Sequence, residues 1–114
     1  MATRLAFLIT EDWYFRQHFL ALAIAARDAG YDIHVLCRTG ERGPAAAKAI
    51  RMAGLGLHEI PFARSGVNPI KDLSTRRRII ETYRTLNPDI VHNIALKPII
   101  YGQAAARLVG IPAR

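Results

Sequence analysis

The most chemically suggestive run in the sequence is Glu-Asp-Trp-Tyr at residues 11–14. It follows the continuous apolar segment 5–9, which is typical of a strand buried on both faces. In an open parallel sheet, ligands bind outside the carboxyl ends of the strands, so this run lies where a binding site would form. Asp12 can act as a carboxylate there, but a helix N-cap, worth about 1 kcal/mol, is an equally good interpretation.

Several functional classes are excluded by what this loop and its neighbours lack. Dinucleotide folds need Gly-x-Gly-x-x-Gly after the first strand so that the backbone can approach a pyrophosphate, and neither that pattern nor a P-loop is present. Gly54 and Gly56 precede a strand rather than a helix. A phosphoacceptor receiver domain would need an aspartate after the third strand, where residues 61–65 contain no acid. A nicotinamide, ATP or phosphoacceptor site is therefore not expected.

Other polar residues give weaker signals. Lys97 directly precedes Pro98, near the positive end of a predicted helix. A cation is unfavourable there unless an anion or an acidic side chain compensates its charge. Lys97 is therefore a candidate partner for a ligand or carboxylate, against the equally good interpretation of a solvated lysine. The four histidines include no His-x-x-x-His pair, so no metal site is predicted. His34 and His58 are interpreted as ordinary strand residues.

Basic residues dominate the charge of the chain. Sixteen Lys and Arg against nine Asp and Glu give a net charge of +7. The arginine run at 76–78 lies on a predicted helix, and it is either a solvated face or a surface for anionic lipid or a lipid-linked phosphate. The candidate members of that surface are Lys71, Arg77, Arg78 and Arg84. No stacking aromatics or nucleic-acid-binding motif accompany the run, so nucleic acid is not an expected partner.

Length and composition favour one soluble, cytoplasmic domain. The 114 residues suffice for one modest core and not for two domains, and 51% of them are hydrophobic. The single cysteine, Cys37, excludes an internal disulfide and a zinc site built on several thiolates. The longest uncharged stretch, 17–26, is about half as long as a membrane span. The start of the chain has no signal-peptide pattern.

The elements that must position these residues alternate between strand and helix periods. Apolar runs predict strands at 5–9, 33–37, 57–62 and 90–95. Helical patterns follow them at 13–29, 44–52, 68–86 and 98–110. The third strand suits a sheet edge, because Pro61 lacks an N–H. This order predicts an α/β, Rossmann-like, three-layer βαβ domain with a parallel sheet and right-handed crossovers.

The helical patterns also predict which residues face the core. On the first helix they are Phe19, Leu22, Ala23 and Ala26. On the third helix they are Leu73, Ile79, Ile80, Tyr83 and Leu86. Residues 111–114 begin a predicted fifth strand, and a sheet cut there would expose an edge that natural domains usually cover. We therefore expect 1–114 to be one incomplete domain, with a naturally short four-stranded domain as the alternative.

Four segments together resemble a known family. They are 8–15, 25–35, 64–69 and 88–98. They are similar to the amino-terminal half of bacterial group 1 (family 4) glycosyltransferases, above all those that build capsule, exopolysaccharide or lipid-linked oligosaccharides. The Pro-Asp-Ile-Val-His element at 88–92 is widespread in that family. The combination of Glu-Asp-Trp-Tyr-Phe at 11–15 with Leu-Lys-Pro at 96–98 is narrower and more informative.

The resemblance implies a GT-B fold, in which two Rossmann-like domains face each other across a cleft. The amino-terminal domain chiefly binds the acceptor, and the carboxyl-terminal domain, absent here, binds the nucleotide-sugar. Transfer in the family retains anomeric configuration without a metal, so no cofactor is expected. The Glu-x7-Glu motif and a histidine near the reaction centre would lie beyond Arg114, so this chain alone is expected to be inactive. The substrate-binding positions implied are Glu11, Asp12, Trp13, Tyr14, His18, Asn93 and Lys97.

The sequence also departs from the family pattern. Many relatives have Gly-Gly in the first loop, and this subgroup often has Ser-His-Arg where residues 17–19 are Gln-His-Phe. Phe19 therefore stands where the subgroup has an arginine that could contact a phosphate. The aromatic rings still offer apolar surface to sugar faces, and carboxylates accept hydrogen bonds from hydroxyls. The arginine excess suits an acceptor carried on a polyprenyl diphosphate at the inner face of the cell membrane.

Two other functions stay open at this point. One is a non-catalytic basic α/β module that docks on anionic lipid or a protein partner. The other is a different GT-B enzyme, such as a nucleotide-sugar epimerase. If the glycosyltransferase hypothesis is right, Lys97→Ala should lower transfer by the full-length enzyme without unfolding it.

Overall fold

The computed structural model describes residues 2–62, 69–94 and 105–112, with the backbone alone at 69–72. Its elements alternate as the hydrophobic pattern predicts. They are β1 (Arg4–Glu11), α1 (Asp12–His18), α2 (Leu20–Asp28), β2 (Asp32–Arg38), α3 (Ala45–Met52), β3 (Gly56–Glu59), α4 (Pro69–Leu86) and β4 (Ile90–Asn93). Residues 105–109 form a further helical segment, α5. The predicted helix start at Pro98 and the chain end at 113–114 lie outside the described residues.

The four strands form one parallel sheet in the order β3-β2-β1-β4. This arrangement confirms the predicted Rossmann-like α/β fold, and it places β3 at an edge, as Pro61 suggested. The chain first builds outward from β1 to β3 and then returns through α4 to β4 on the other side of β1. The strand order therefore reverses between β1 and β4, and the crevice at their carboxyl ends is the favoured ligand position in such sheets.

Alternate side chains of β1 divide the core into two layers. Ala6 and Leu8 are buried against α4 and α5. Phe7 and Ile9 are buried on the opposite face, against α1, α2 and α3. A strand that is apolar on both faces is expected between two helical layers, and this confirms the three-layer architecture.

The predicted first helix is two helices. The chain breaks at Phe19, whose backbone angles of −127° and −10° leave the helical region and separate α1 from α2. The Phe19 ring packs 6.1 Å from His92 and 6.3 Å from Phe15, measured between ring centroids, so the break brings this side chain into the core. The break also changes which residues α2 buries. Ala23 is buried as predicted, but the prediction was wrong for Leu22, which is 55% exposed.

The long helix α4 begins and ends where the sequence predicts. Ile79, Tyr83 and Leu86 face the core, but Leu73 is 60% exposed, contrary to the prediction. Thr75 takes the core position, because its hydroxyl donates a 2.8 Å hydrogen bond to the Pro61 carbonyl. Leu73 lies two residues earlier, about 200° round the helix, and so points away from the sheet. No helix in the described ranges is long and apolar enough to cross a bilayer.

Candidate functional site

Asp12 connects the loop after β1 to the loop after β2. It is fully buried and is the first residue of α1. Its Oδ1 accepts a 2.7 Å hydrogen bond from the Trp13 N–H, and its Oδ2 accepts a 3.2 Å bond from the Gly40 N–H. The N-cap position belongs to Glu11, which makes no side-chain capping bond, so the N-cap interpretation of Asp12 was wrong. The structure gives Asp12 a loop-positioning role and does not leave its carboxylate where a sugar could contact it.

Glu11 and Arg38 form a forked ion pair across the same two loops. Arg38 Nε donates a 2.9 Å hydrogen bond to Glu11 Oε1, and Arg38 Nη2 contacts Glu11 Oε2. This hydrogen bonding, more than any other influence, raises the pKa of Arg38 above its ordinary value. Arg38 Nη1 also donates to the Phe62 carbonyl at 3.2 Å. The Glu11 carboxylate is therefore already engaged by a guanidinium on β2.

A third contact fastens β2 to the edge strand. The Thr39 N–H donates a 2.9 Å hydrogen bond to Glu59 Oε2, and the Thr39 hydroxyl contacts the other carboxylate oxygen. With the Asp12 and Glu11 contacts, this links the carboxyl ends of β1, β2 and β3 through side chains. The loops at this edge are held in one geometry before any ligand binds.

Two aromatic side chains form a shelf above this braced edge. Tyr14 is 39% exposed, and its ring centroid lies 5.8 Å from that of Trp13. His18 packs one helical turn further on, with its ring centroid 4.3 Å from that of Tyr14. A shallow apolar cavity of about 140 Å³ opens beside the shelf, between β1 and the two aromatic residues. Its lining residues are Ile9, Thr10, Glu11, Trp13 and Tyr14.

Arg42 is a member of this site that the sequence analysis missed. Its guanidinium carbon lies 3.5 Å from the centroid of the Trp13 ring, in a cation–π arrangement. Because Arg42 follows β2 and Trp13 follows β1, only the parallel pairing of those strands brings them together. No local spacing in the sequence could have indicated the contact.

Asn93 lies at the carboxyl end of β4, on the other side of the strand-order reversal. Its backbone pairs with Leu8 of β1, so it is close to the start of the first loop. The Asn93 Oδ1 and Nδ2 atoms are buried and have no hydrogen-bond partner within the described part of the chain. Leaving such atoms unpaired costs free energy, and because both atoms are buried, a ligand reaches them only if the Asn93 side chain turns toward the crevice. Lys97, predicted to act beside Asn93, lies outside the described residues.

The predicted basic surface divides between two sides of α4. Arg77 and Arg84 line a groove on the outer side of α4 and α5. Arg78 lies on the other side, where its Nε donates a 3.3 Å hydrogen bond to the Glu59 carbonyl beside the sheet edge. The Lys71 side chain lies outside the described residues. Arg77 also lines a cavity together with Arg78, beside Glu59 and Pro61, so the two sides meet at Arg77.

His34 of β2 and His58 of β3 are strand residues, as predicted, and their rings are in direct contact across the two strands. His34 Nδ1 lies 3.0 Å from His58 Nε2, and His34 Nε2 lies 3.2 Å from Asp32 Oδ2. Burial lowers the pKa of His58, with smaller contributions from His34 and the Arg78 guanidinium. Among the residues that the structure describes, no group of three or more His, Cys, Asp or Glu is arranged to hold a metal ion. This pair lies away from the aromatic shelf.

Solved structures share the fold at low sequence identity. MurG from Acinetobacter baumannii is 18% identical with a TM-score of 0.73, over 97% of this chain and 33% of MurG. A glycosyltransferase from Rickettsia africae is 15% identical with a TM-score of 0.70, over 94% of this chain and 27% of its own. GalB, the 4-carboxy-2-hydroxymuconate hydratase from Pseudomonas putida KT2440, is 16% identical with a TM-score of 0.74, over 98% and 61% of the two chains.

These similarities show the fold alone. Since one of the similar structures is a hydratase, the fold by itself does not indicate which reaction is catalysed. The chain spans about a third of MurG. No curated protein matches the sequence. A sequence profile, by contrast, matches residues 4–114, nearly the whole chain, and that profile describes glycosyl transferase 4-like domains. The resemblance of the four sequence segments is thereby confirmed, and the chain belongs to the glycosyl transferase 4-like family.

Proposed function

We propose that this chain is the acceptor-binding part of a glycosyltransferase that moves a sugar from a nucleotide-sugar to a glycan or polyprenyl-diphosphate-linked acceptor. In this proposal, transfer retains anomeric configuration and needs no metal. The nucleotide-sugar is bound by a further domain outside this chain, so residues 1–114 alone transfer no sugar. The observation that carries the proposal is the Trp13–Tyr14 shelf beside the strand-order reversal of a family 4-like domain.

The aromatic shelf supplies the surface that a pyranose ring needs. Tyr14 is exposed and can lie against the apolar face of a sugar, while Trp13 is held in place by Arg42 on its ring. Asn93 has both an acceptor and a donor unpaired, which suits a pair of sugar hydroxyls. His18 supports the Tyr14 ring from the next turn.

The two carboxylates act indirectly in this proposal. Asp12 and Glu11 are engaged by Gly40, Trp13 and Arg38, so they position the loop that presents the shelf. A shelf fixed in advance loses little conformational entropy when the acceptor binds. Lys97 stays a predicted contact for an anionic group of the acceptor.

The test measures transfer by the full-length protein, with acceptor and donor concentrations varied separately. We expect Tyr14→Ala to raise the KM for acceptor about ten-fold and to leave the KM for nucleotide-sugar unchanged, because only the acceptor contacts the shelf. Tyr31→Ala is the matched control, since Tyr31 is equally exposed, at 40%, but lies at the turn before β2. Equal effects of the two substitutions, or a rise only in the donor KM, would contradict the assignment.

A second candidate is a non-catalytic module that docks on anionic lipid. It is favoured by the exposed arginines and leucines on the outer side of α4 and α5. The full-length protein would then bind anionic vesicles but transfer no sugar from any nucleotide-sugar. An epimerase would instead convert one nucleotide-sugar into another with no acceptor present, and chromatography of the nucleotide-sugars would reveal it.

A further inference from the structure

We propose that Arg42 determines acceptor specificity by binding the diphosphate that joins the acceptor sugar to its prenyl chain. Arg42 lies in the loop after β2, and its guanidinium carbon is 3.5 Å from the centroid of the Trp13 ring. The inference rests on the proposed function, because it assigns a further contact of the acceptor at the aromatic shelf. Its evidence is the fixed position of this guanidinium and its lack of an acidic partner.

The turn that carries Arg42 is held in one geometry. Gly40 and Gly43 have φ angles of 86° and 87°, which side chains other than glycine rarely adopt. The Gly43 N–H donates a 3.2 Å hydrogen bond to the Gly40 carbonyl, and this bond closes the turn. The Gly40 N–H in turn donates to Asp12, the first residue of the helix that carries the aromatic shelf. The backbone therefore holds Arg42 in a fixed position beside that shelf.

The charge of Arg42 is unpaired, in contrast to that of its neighbour Arg38 at the end of the same strand. Arg38 lies within ion-pair distance of both Glu11 and Glu41. Arg42 is exposed and forms no ion pair with any acidic side chain that the structure describes. A cation–π contact engages no hydrogen-bond acceptor, so the N–H donors of this guanidinium stay free for a ligand.

A diphosphate is the part of the acceptor that fits this guanidinium. Phosphate oxygens accept bidentate hydrogen bonds from arginine, whereas the sugar hydroxyls carry no charge for it to pair. The Trp13 centroid lies 3.5 Å from the guanidinium carbon and 5.8 Å from the Tyr14 centroid, so Arg42 and the exposed Tyr14 are closer than the sum of these distances. In a sugar linked to prenyl diphosphate, the diphosphate is bonded directly to the ring. A sugar lying on Tyr14 therefore brings this group within reach of Arg42.

The nucleotide-sugar also contains a diphosphate, so the same chemistry has two possible sources. In the proposed function a further domain binds the nucleotide-sugar, whereas Arg42 is fastened to the shelf that takes the acceptor. We therefore assign Arg42 to the diphosphate of the acceptor. Separate measurements of the two substrates distinguish the sources.

The experiment measures transfer by the full-length protein to two acceptors, a monosaccharide on a short prenyl diphosphate and the same monosaccharide as an uncharged alkyl glycoside. We expect Arg42→Gln to raise the KM for the diphosphate acceptor about twenty-fold, because a charge-assisted contact is lost. The KM for the glycoside and the KM for nucleotide-sugar should stay unchanged. An equal rise for both acceptors would reduce Arg42 to a support for Trp13, and a rise only in the donor KM would assign it to the nucleotide-sugar. Either result would overturn the proposal.

Two further variants separate the specific contact from general charge. Arg51 is also exposed, but it lies in the last turn of α3, away from the turn that carries Arg42, so Arg51→Gln should leave both acceptor KM values unchanged. Arg42→Lys keeps the charge and loses the planar fork, so it should raise the KM for the diphosphate acceptor only about five-fold. If Arg51→Gln had the same effect as Arg42→Gln, net charge alone would explain the result and the proposal would fail.

A binding measurement tests Arg42 independently of sugar transfer. Isothermal titration calorimetry of the full-length protein with geranyl diphosphate should show a Kd about twenty-fold higher for Arg42→Gln than for the unmodified protein. Arg51→Gln should leave this Kd unchanged. Equal Kd values for the Arg42 variant and the unmodified protein would contradict the proposal. Absence of transfer to either acceptor would refute the proposed function, and the calorimetric comparison would still decide whether Arg42 binds a diphosphate.

Discussion

The carboxyl edge of the sheet and the groove on the outer side of α4 and α5 both combine charged and apolar side chains, but the charges are paired at the edge and unpaired in the groove. At the edge, Arg38 and Glu11 have side chains only 17% and 15% exposed and are bonded to each other. In the groove, the arginines are exposed and have no carboxylate partner in the described ranges. Charges withdrawn from water need partners inside the protein, whereas charges left in water can bind an external partner.

The difference matters for how each region recognises a ligand. The edge is braced by Asp12, by the Glu11–Arg38 pair and by Glu59, so its aromatic shelf is held in place before any ligand binds. Among the described residues, the arginines of the groove form no comparable ion pair, so their long side chains keep their conformational freedom. A shelf fixed in advance loses little conformational entropy when it binds a ligand, whereas the free side chains of the groove would lose more.

The largest effect on stability is expected when Asp12, which connects the first two loops of the carboxyl edge, is replaced. Asp12→Ala should lower the free energy of unfolding by about 3 kcal/mol, because two backbone N–H groups lose their acceptor in a buried place. Urea denaturation followed by circular dichroism measures it. Leu73→Gln in the groove should change the free energy by less than about 0.5 kcal/mol. Similar losses for the two variants would break the comparison.

A smaller effect is expected from the Glu11–Arg38 pair. A double-mutant cycle with Glu11→Gln and Arg38→Gln should give a coupling energy of about 1.5 kcal/mol, because the forked pair is largely shielded from water. The same cycle on Arg27 and Asp28, whose side chains are 36% and 64% exposed, should give a coupling close to zero. A coupling at Glu11–Arg38 no larger than this control would show that the edge is not braced by its charges.

The smallest predicted effect is on the pH dependence of the free energy of unfolding, and it comes from His58, between the sheet and α4. The His58 ring contacts the His34 ring. Both line a second cavity, separate from the groove on the outer side of α4 and α5, whose charged lining residues are Arg4, Asp32, Arg78 and Glu81. The pKa of His58 is lowered in the folded protein from an ordinary value of 6.5, so the folded state binds this proton more weakly than the unfolded chain. Stability from neutral His58 is therefore present above about pH 6.5 and is lost as the pH falls through the folded pKa.

The measurement is urea denaturation at a series of pH values between about 7.5 and 5.5. The free energy of unfolding should fall more steeply in the unmodified protein than in His58→Gln, which cannot be protonated there. His34→Gln should also flatten the profile, because it removes an imidazole that disfavours the charge on His58. Parallel profiles for all three proteins would show that the contact does not contribute to pH-dependent stability.

Much of the fold could be predicted because its signals are local. The apolar run 5–9, the Pro69 start of α4 and the edge position implied by Pro61 depend on periodicity and on the missing proline N–H. The predictions of buried helix residues were wrong where tertiary contacts, rather than the 3.6-residue helical period, decided which side chain is buried. The backbone leaves the helical conformation at Phe19, whose ring packs against the core. On α4, Thr75 is buried instead of Leu73, because its hydroxyl donates a hydrogen bond to the Pro61 carbonyl.

The candidate site could be predicted only in part. Trp13 and Tyr14 were identified because they follow a buried strand directly, and that placement is visible in the sequence. The burial of Asp12 and the contact of Arg42 with Trp13 could not be predicted, because each needs two loops that are far apart in sequence. The His34–His58 contact likewise depends on the β2–β3 register, which pairs His34 with Gly56 and Leu36 with His58.

The sequence by itself determined the alternation of strands and helices, the family and the identity of the aromatic shelf. These follow from side-chain period and from short motifs, which act over a few residues. Only the tertiary structure decided which charges are paired and which face solvent. It joined Glu11 to Arg38 across 27 positions and left Arg76, Arg77 and Arg84 exposed on α4. Ion pairs depend on distances in space, and strand order and helix rotation fix those distances only when the chain folds.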